Sequence, residues 1–226
     1  MTMFHLERGF RRSKDPHDQE RADQVAAMLR GRGEDIALPT PEIRVRRPLT
    51  SEEREALKRE GLTAVYSLTG ETIADQKEKG RKFCQITESD NNTLLAVRSL
   101  MGDVAVDPRP DKFLLPESNV TLDQQLEMVA EYSHKLQRKL RTDTVEAIIG
   151  QAPDYTELLF AHFDAIGERL LGEKYGYNYA RTQTPTVGSD VAHVGDFSAG
   201  NGPGVYNLHR DDGRAYVFAV PLVVPK

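Results

Sequence analysis

The chain has 226 residues, 38% hydrophobic and 29% charged, with a formal net charge of -5. That length suits one domain with an extension or two small domains, and the acidic balance argues against a general nucleic-acid binder, because neutralising phosphates needs a basic surface. One cysteine, Cys84, excludes an intramolecular disulfide and a zinc site built on thiolates.

The N-terminal stretch "MTMFHLERGFRRSKDPHDQE" lacks the apolar core of a signal peptide. No run approaches the roughly 18 apolar residues that a membrane helix needs. The expectation is a cytoplasmic protein with no membrane contact. "HDQERADQVAAMLRGR" reads as a short helix, ended by Gly31 and Gly33. The proline-bearing "EDIALPTPEIRVRRPLT" reads as an extended strap. Thr50 and Glu53 form a capping box for a helix that Gly61 closes. Residues 1–60 are therefore taken as a helical and extended segment, and residues 61–226 as an α+β domain.

Beyond Gly61, "LTAVYSL" and "RKFCQITE" are strand-like, with a short polar helix between them. Cys84 is expected to be a buried structural thiol. "NTLLAVRSLMG" fits a strand or a short helix, and "VDPRPDKFLLPES" is irregular. A long helix starts at a Thr121–Gln124 capping box and lines up Leu122, Leu126, Val129, Leu136 and Leu140. "DTVEAIIG" reads as a further short helix. Pro153 opens the last helix, which Gly172 is expected to stop. His162 on that helix is expected to be a hydrogen-bonded structural histidine. The basic runs at Arg44–Arg47 and Lys135–Arg141 read as solvated charge.

After Gly172 the helical pattern ends. "YGYNYARTQTP" and "TVGSDVAHVGDFS" alternate as strands do, "GNGPG" reads as a turn, and "AYVFAVPLVVP" is β-rich, with Pro221 confining it to an edge or a strand end.

This tail carries a compositional break. Lys, Glu, Gln, Met and Trp together supply 41 of the first 183 residues, yet none occurs from Thr184 to Pro225. Strands and turns disfavour Glu and Lys, which accounts for part of the gap. The genetic code accounts for the whole set. Randomising the two adenines of an asparagine codon that ends in a pyrimidine can yield every amino acid except those five.

That footprint resembles the one left by a diversity-generating retroelement, whose reverse transcriptase mutates template adenines. The position at the C-terminus resembles that of the variable proteins such elements diversify. The resemblance implies a C-type-lectin-like fold, two helices on a twisted antiparallel sheet, and a non-catalytic function: binding a protein ligand through a hypervariable face at about 184–225, with no cofactor. Within it, Val191, Val194, Phe197, Val217, Phe218, Val220 and Leu222 would be framework. Asp196, Ser198, Asn201, Tyr206, Asn207, His209, Arg210, Asp211, Asp212, Arg214 and Tyr216 would be contacts, in the Tyr-, Ser- and Asn-rich manner of antibody loops. The segment from Pro153 to Pro185, with the ending "PLVVP", also resembles a prokaryotic family, which adds no function.

Two other readings start from the same residues. His193, His209, Asp211 and Asp212 could form a metal-dependent or acid–base hydrolase site, or Asp190, Asp196, Asp211 and Asp212 could ligate calcium. A phage-related structural or assembly role, with an oligomer, is the third class. "HRDD" at His209 lacks the rest of a kinase catalytic loop, and "GNGPG" lacks the spacing of a dinucleotide fingerprint.

Overall fold

The computed structural model describes residues 44–89 and 92–226, which fall in the second of the two units into which the chain divides, residues 1–40 and 41–226. The helix expected over 17–32 lies outside the described residues. The elements in chain order are α1 (Ser51–Arg59), β1 (Ala64–Thr69), α2 (Ile73–Glu78), β2 (Gln85–Ile86), α3 (Thr93–Ala96), β3 (Met101–Val106), α4 (Pro110–Phe113), α5 (Leu122–Leu140), β4 (Val145–Ile148), α6 (Ala152–Ile166), β5 (Tyr179–Pro185), β6 (Asp190–Ser198), β7 (Gly202–His209), β8 (Val217–Phe218) and β9 (Leu222–Pro225). The class is α+β, as expected.

The strands form two sheets. A four-stranded sheet runs β1-β3-β9-β4 and is antiparallel throughout. A five-stranded sheet runs β2-β7-β6-β5-β8, antiparallel at its centre with a parallel pair at each edge. Helix α6 packs against β1 of the first sheet and against β5, β6 and β7 of the second. A helix held between two layers is apolar all round, and Tyr155, Leu158, Leu159, Phe160 and His162 are all buried.

Helix α5 covers the opposite side of the four-stranded sheet, so that sheet is buried on both faces. Strand β9 records this: Leu222 and Val224 enter one core with α6, while Val223 enters the other with Val129, Leu136 and Val145. A strand buried on both sides reads as an unbroken apolar run, which is what "LVVP" is. The outer edge of β4 is closed by α5 side chains: Ser133 Oγ accepts from Ala147 N at 2.9 Å, and Gln137 Nε2 donates to Val145 O at 2.7 Å.

Helix α1 starts at the expected capping box, with Thr50 and Glu53 exchanging hydrogen bonds. It is tied to the sheet by the buried Asp103, which accepts from Leu49 N, from Arg54 and from Ser67. Leu49 and Leu57 are buried in the same core as Leu62 and Val223.

Four local expectations need correction. "DTVEAIIG" is strand β4, because pairing with β9 and burial of Val145 and Ala147 outweigh local helical periodicity. Helix α6 ends at Ile166, five residues short of Leu171, because Gly167 takes the left-handed conformation at φ 75°. Gly202–Gly204 belong to β7, and the turn is confined to the residues just before them. Cys84 is an exposed free thiol just before the edge strand β2. "NTLLAVRSLMG" proves to be both of its alternatives in succession, with α3 followed by β3.

Candidate ligand-binding face

The five-stranded sheet has two unlike faces, set by the register of its central strands. Ala180, Val194 and Val205 stand side by side on β5, β6 and β7 and point into the core against α6. One residue along, Arg181, His193 and Tyr206 form the neighbouring row. Successive residues of a strand face opposite ways, so this row lies on the other face. The next row on that face is Tyr179, Gly195 and Gly204.

The glycines make room for rings. A Cβ on Gly204 would fall 2.3 Å from the Tyr206 ring, and one on Gly195 would fall 2.8 Å from the Tyr179 ring and 2.2 Å from Asn178 O. The two tyrosines thus lie down over bare backbone. Tyr179 is the centre of the group. Its ring meets His193 at 5.0 Å, Tyr206 at 5.7 Å and Tyr216 at 5.7 Å, all edge-on, and His193 stacks on Tyr206 at 5.8 Å. Edge-on rings at these distances are the favourable aromatic arrangement. Cys84 Sγ lies 3.7 Å from Tyr206 Oη.

At the rim of this group the β6–β7 pairing slips between Gly195 and Ser198. Asp196 sits in that bulge at φ 49°. A bulge re-aims a side chain, and Asp196 is close enough to push the phenols of both Tyr179 and Tyr206 up. For Tyr179 burial is the larger cause. For Tyr206 the hydrogen bond with Cys84 comes first, then burial, and the phenol is pushed up to about 12. His193 is 6% exposed, and its Nδ1 has no hydrogen-bond partner. Burial, assisted by the nearby Arg181, pushes the imidazole down to about 4, so it is neutral at pH 7.

Arg181 organises the other end of the face. It is fully buried, and its guanidinium donates to three backbone carbonyls: Asp212 O at 2.5 Å, His209 O at 3.3 Å and Val120 O at 3.4 Å. Two of these belong to the loop His209–Arg214 and the third to the approach to α5. The same seam is stitched by Leu122 N to Arg210 O, Asn119 N to Arg214 O, and Arg210 to Asp123 at 2.7 Å. Gly213 packs against it, where a Cβ would lie 2.2 Å from the Asn119 backbone.

The eleven expected contact residues fall into three groups. Asp196, Tyr206 and Tyr216 meet at the aromatic cluster. His209, Arg210, Asp211, Asp212 and Arg214 lie on the clamped loop at the far end of β7. Ser198 and Asn201 flank the β6–β7 turn, while Asn207 points to the opposite face from Tyr206, where it donates to Asp190 at 2.6 Å. Asp196, Ser198 and Tyr206 are half-buried, and the other eight are exposed. Of the seven framework residues, six are buried and Phe218 is half-buried.

The hydrolase constellation does not assemble. His193 pairs with Tyr206 and His209 with Asp190, three positions along the ladder, which puts the two imidazoles on opposite faces. Asp190 and Asp196 are about 20 Å apart along β6. Among the described residues, no group of three or more His, Cys, Asp or Glu side chains could hold a metal ion. His162 is a buried helix histidine with Tyr66 Oη 2.8 Å from its Nδ1. A polar hollow of about 380 Å³ beside Thr69, Glu71, Asp75, Lys79 and Arg98 is neutralised internally: Lys79 pairs with Glu71 at 2.6 Å, and Arg98 donates to Gly70 O.

Sequence reasoning missed Tyr179, Arg181 and Cys84. The signal for the first two was present: in "YGYNYAR" Tyr175, Tyr177, Tyr179 and Arg181 share one parity, and mid-strand glycines mark a close approach. No protein-family model, curated protein or solved structure matches the chain. No described helix is long and apolar enough to cross a membrane.

Proposed function

We propose that the aromatic face of the five-stranded sheet and its clamped loop form a non-catalytic binding surface for a protein ligand. On this reading the chain is a C-type-lectin-like variable protein of a diversity-generating retroelement, with residues 184–225 as the diversified part. The observation that carries the reading is the separation of roles along the tail. Six of seven framework residues are buried, while none of the eleven contact residues is. Such a tail can change its contacts without disturbing its core. Arg181 lies outside the tail and holds it by backbone carbonyls, which do not depend on the tail's side chains. The order of two long helices followed by an antiparallel sheet supports the same reading.

The test is the DNA beside the gene. The reading expects a near-copy of the 184–225 coding segment that differs at adenines, together with a reverse-transcriptase gene. A flank with neither removes it. Within related genes, the substitutions should concentrate at the eleven contact positions and spare Val191, Val194, Phe197, Val217, Val220 and Leu222.

A further inference from the structure

Three of the four carboxylates of the tail have a hydrogen bond or a loose ion contact. Asp190 accepts from Asn207 at 2.6 Å. Asp211 stands 3.9 Å from both Arg210 and His209, and Asp212 stands 3.8 Å from Arg214. Asp196 has no ion pair and no side-chain hydrogen bond among the described residues, although it is half-buried. Its carboxylate oxygens are not among the buried atoms without partners, so they remain open to an incoming group, and its backbone sits in the left-handed region, which carries a cost for a residue other than glycine. Tyr179 and Tyr206 stand near it, and Tyr216, 47% exposed, meets the Tyr179 ring at 5.7 Å. The faces of aromatic rings are negative and attract cations, more strongly where water is partly excluded. Arg181, the cation on this face, directs its two terminal nitrogens to backbone carbonyls and makes no ion pair with Asp196.

We infer that the patch framed by Asp196, Tyr179, Tyr206 and Tyr216 receives a cationic group, the guanidinium or ammonium of an arginine or lysine side chain on a partner protein. This rests on the ligand-binding reading and names the chemistry of its ligand in this variant. The carboxylate supplies the charge, and the rings supply flat area at low entropic cost. An anionic ligand would meet Asp196 unshielded. Asp and Tyr are also single-adenine changes from an asparagine codon, so three of the four members are accessible to the diversification proposed above, with Tyr179 as the constant floor.

The test compares hexa-arginine with hexa-citrulline, its neutral isostere, binding to the full chain by calorimetry or by NMR shifts. Hexa-arginine should bind at least about tenfold more tightly. Asp196→Asn should reduce that affinity about tenfold, and it keeps the backbone because asparagine tolerates the left-handed region. Asp211→Asn removes the same charge from the neighbouring loop and should change the affinity less than about threefold. Equal binding of the two peptides, equal losses in the two variants, or no binding of either peptide overturns the inference. Binding of the citrulline peptide that Tyr216→Ala abolishes would leave a binding surface of another specificity. The flanking DNA decides the parent reading independently, so the two failures are distinguishable.

Discussion

The two sheets of this protein share a helix and differ in nearly everything else. The four-stranded sheet is covered on both sides, carries no histidine on its strands, and leaves no buried side-chain polar atom unpaired. The five-stranded sheet shares α6 on one side and on the other carries a buried arginine, a buried histidine and a ring cluster. Arg181 Nε and His193 Nδ1 both lack partners there, as does Thr186 Oγ1 just past β5. Buried polar groups are normally satisfied; the other unpaired atoms among the described residues, on Gln76, Gln125, His162 and Arg169, lie on helices or loops, so within the strands they fall on the five-stranded sheet alone. The positive φ of Asp196 is on the same sheet.

The largest expected effect tests this contrast at Arg181. Arg181→Ala should cost about 4 kcal/mol, because three carbonyls lose their donor and a cavity opens. Limited proteolysis should then cut within His209–Arg214 before the protein unfolds globally. Uniform loss of protection would mean that Arg181 braces the whole fold instead of the loop. Leu222→Ala, on the four-stranded sheet, should cost about 3 kcal/mol in denaturant unfolding and leave the ring cluster's near-ultraviolet signal unchanged. A changed signal there would mean that the two sheets are coupled through α6.

The halves differ in how far they could be read from sequence. Capping boxes at Thr50 and Thr121, the heptad-like stripe of α5 and the proline at the start of α6 are local signals, and each lies where the pattern puts it. β4 was misread because four residues carry too little periodicity to separate strand from helix, and its partner β9 is more than seventy residues away. The burial of Val191, Val194 and Phe197 was legible from their apolar character and not from alternation: they stand three residues apart, and Val191 enters a different core from Val194 and Phe197. What alternation cannot provide is which strand lies beside which. The row Arg181–His193–Tyr206 draws on three strands, and Cys84 joins it from a fourth. The carbonyls that Arg181 binds leave no trace in the sequence, because any residue could supply them.

A pH titration separates the sheets by the next largest effect. The His193 imidazole is held down at about 4, against an ordinary 6.5, by burial and by Arg181. The unfolded chain therefore takes up a proton that the folded chain refuses. Stability should be full above pH 6.5 and fall as the pH drops towards 4, by about 2 kcal/mol between pH 6.5 and 4.5. His162, also held down by burial, adds a contribution of the same sign. His193→Phe should keep a ring against Tyr206 and remove its own share of the acid-side loss. An unaltered profile in that variant would place the pH sensitivity outside the five-stranded sheet.

The smallest effect probes the ring cluster itself. Gly204→Ala puts a methyl group 2.3 Å from the Tyr206 ring and 3.0 Å from Cys84 Sγ. Gly204 is not among the positive-φ glycines, so the cost of the change is steric alone. A half-buried tyrosine at the sheet surface can swing aside, so the expected loss is only about 1 kcal/mol. The informative quantity is the coupling. In Tyr206→Ala the ring is already gone, and adding Gly204→Ala should then be neutral, or slightly favourable because alanine restricts the unfolded chain. A double-mutant cycle should therefore return a coupling of about 1 kcal/mol between two positions on one strand. Additive losses would mean that the methyl group is resisted by the Cys84 side or by the backbone, and that the Tyr206 ring does not rest on Gly204. In that case the aromatic patch would lose its floor, and Tyr206 would be free to turn away from Asp196.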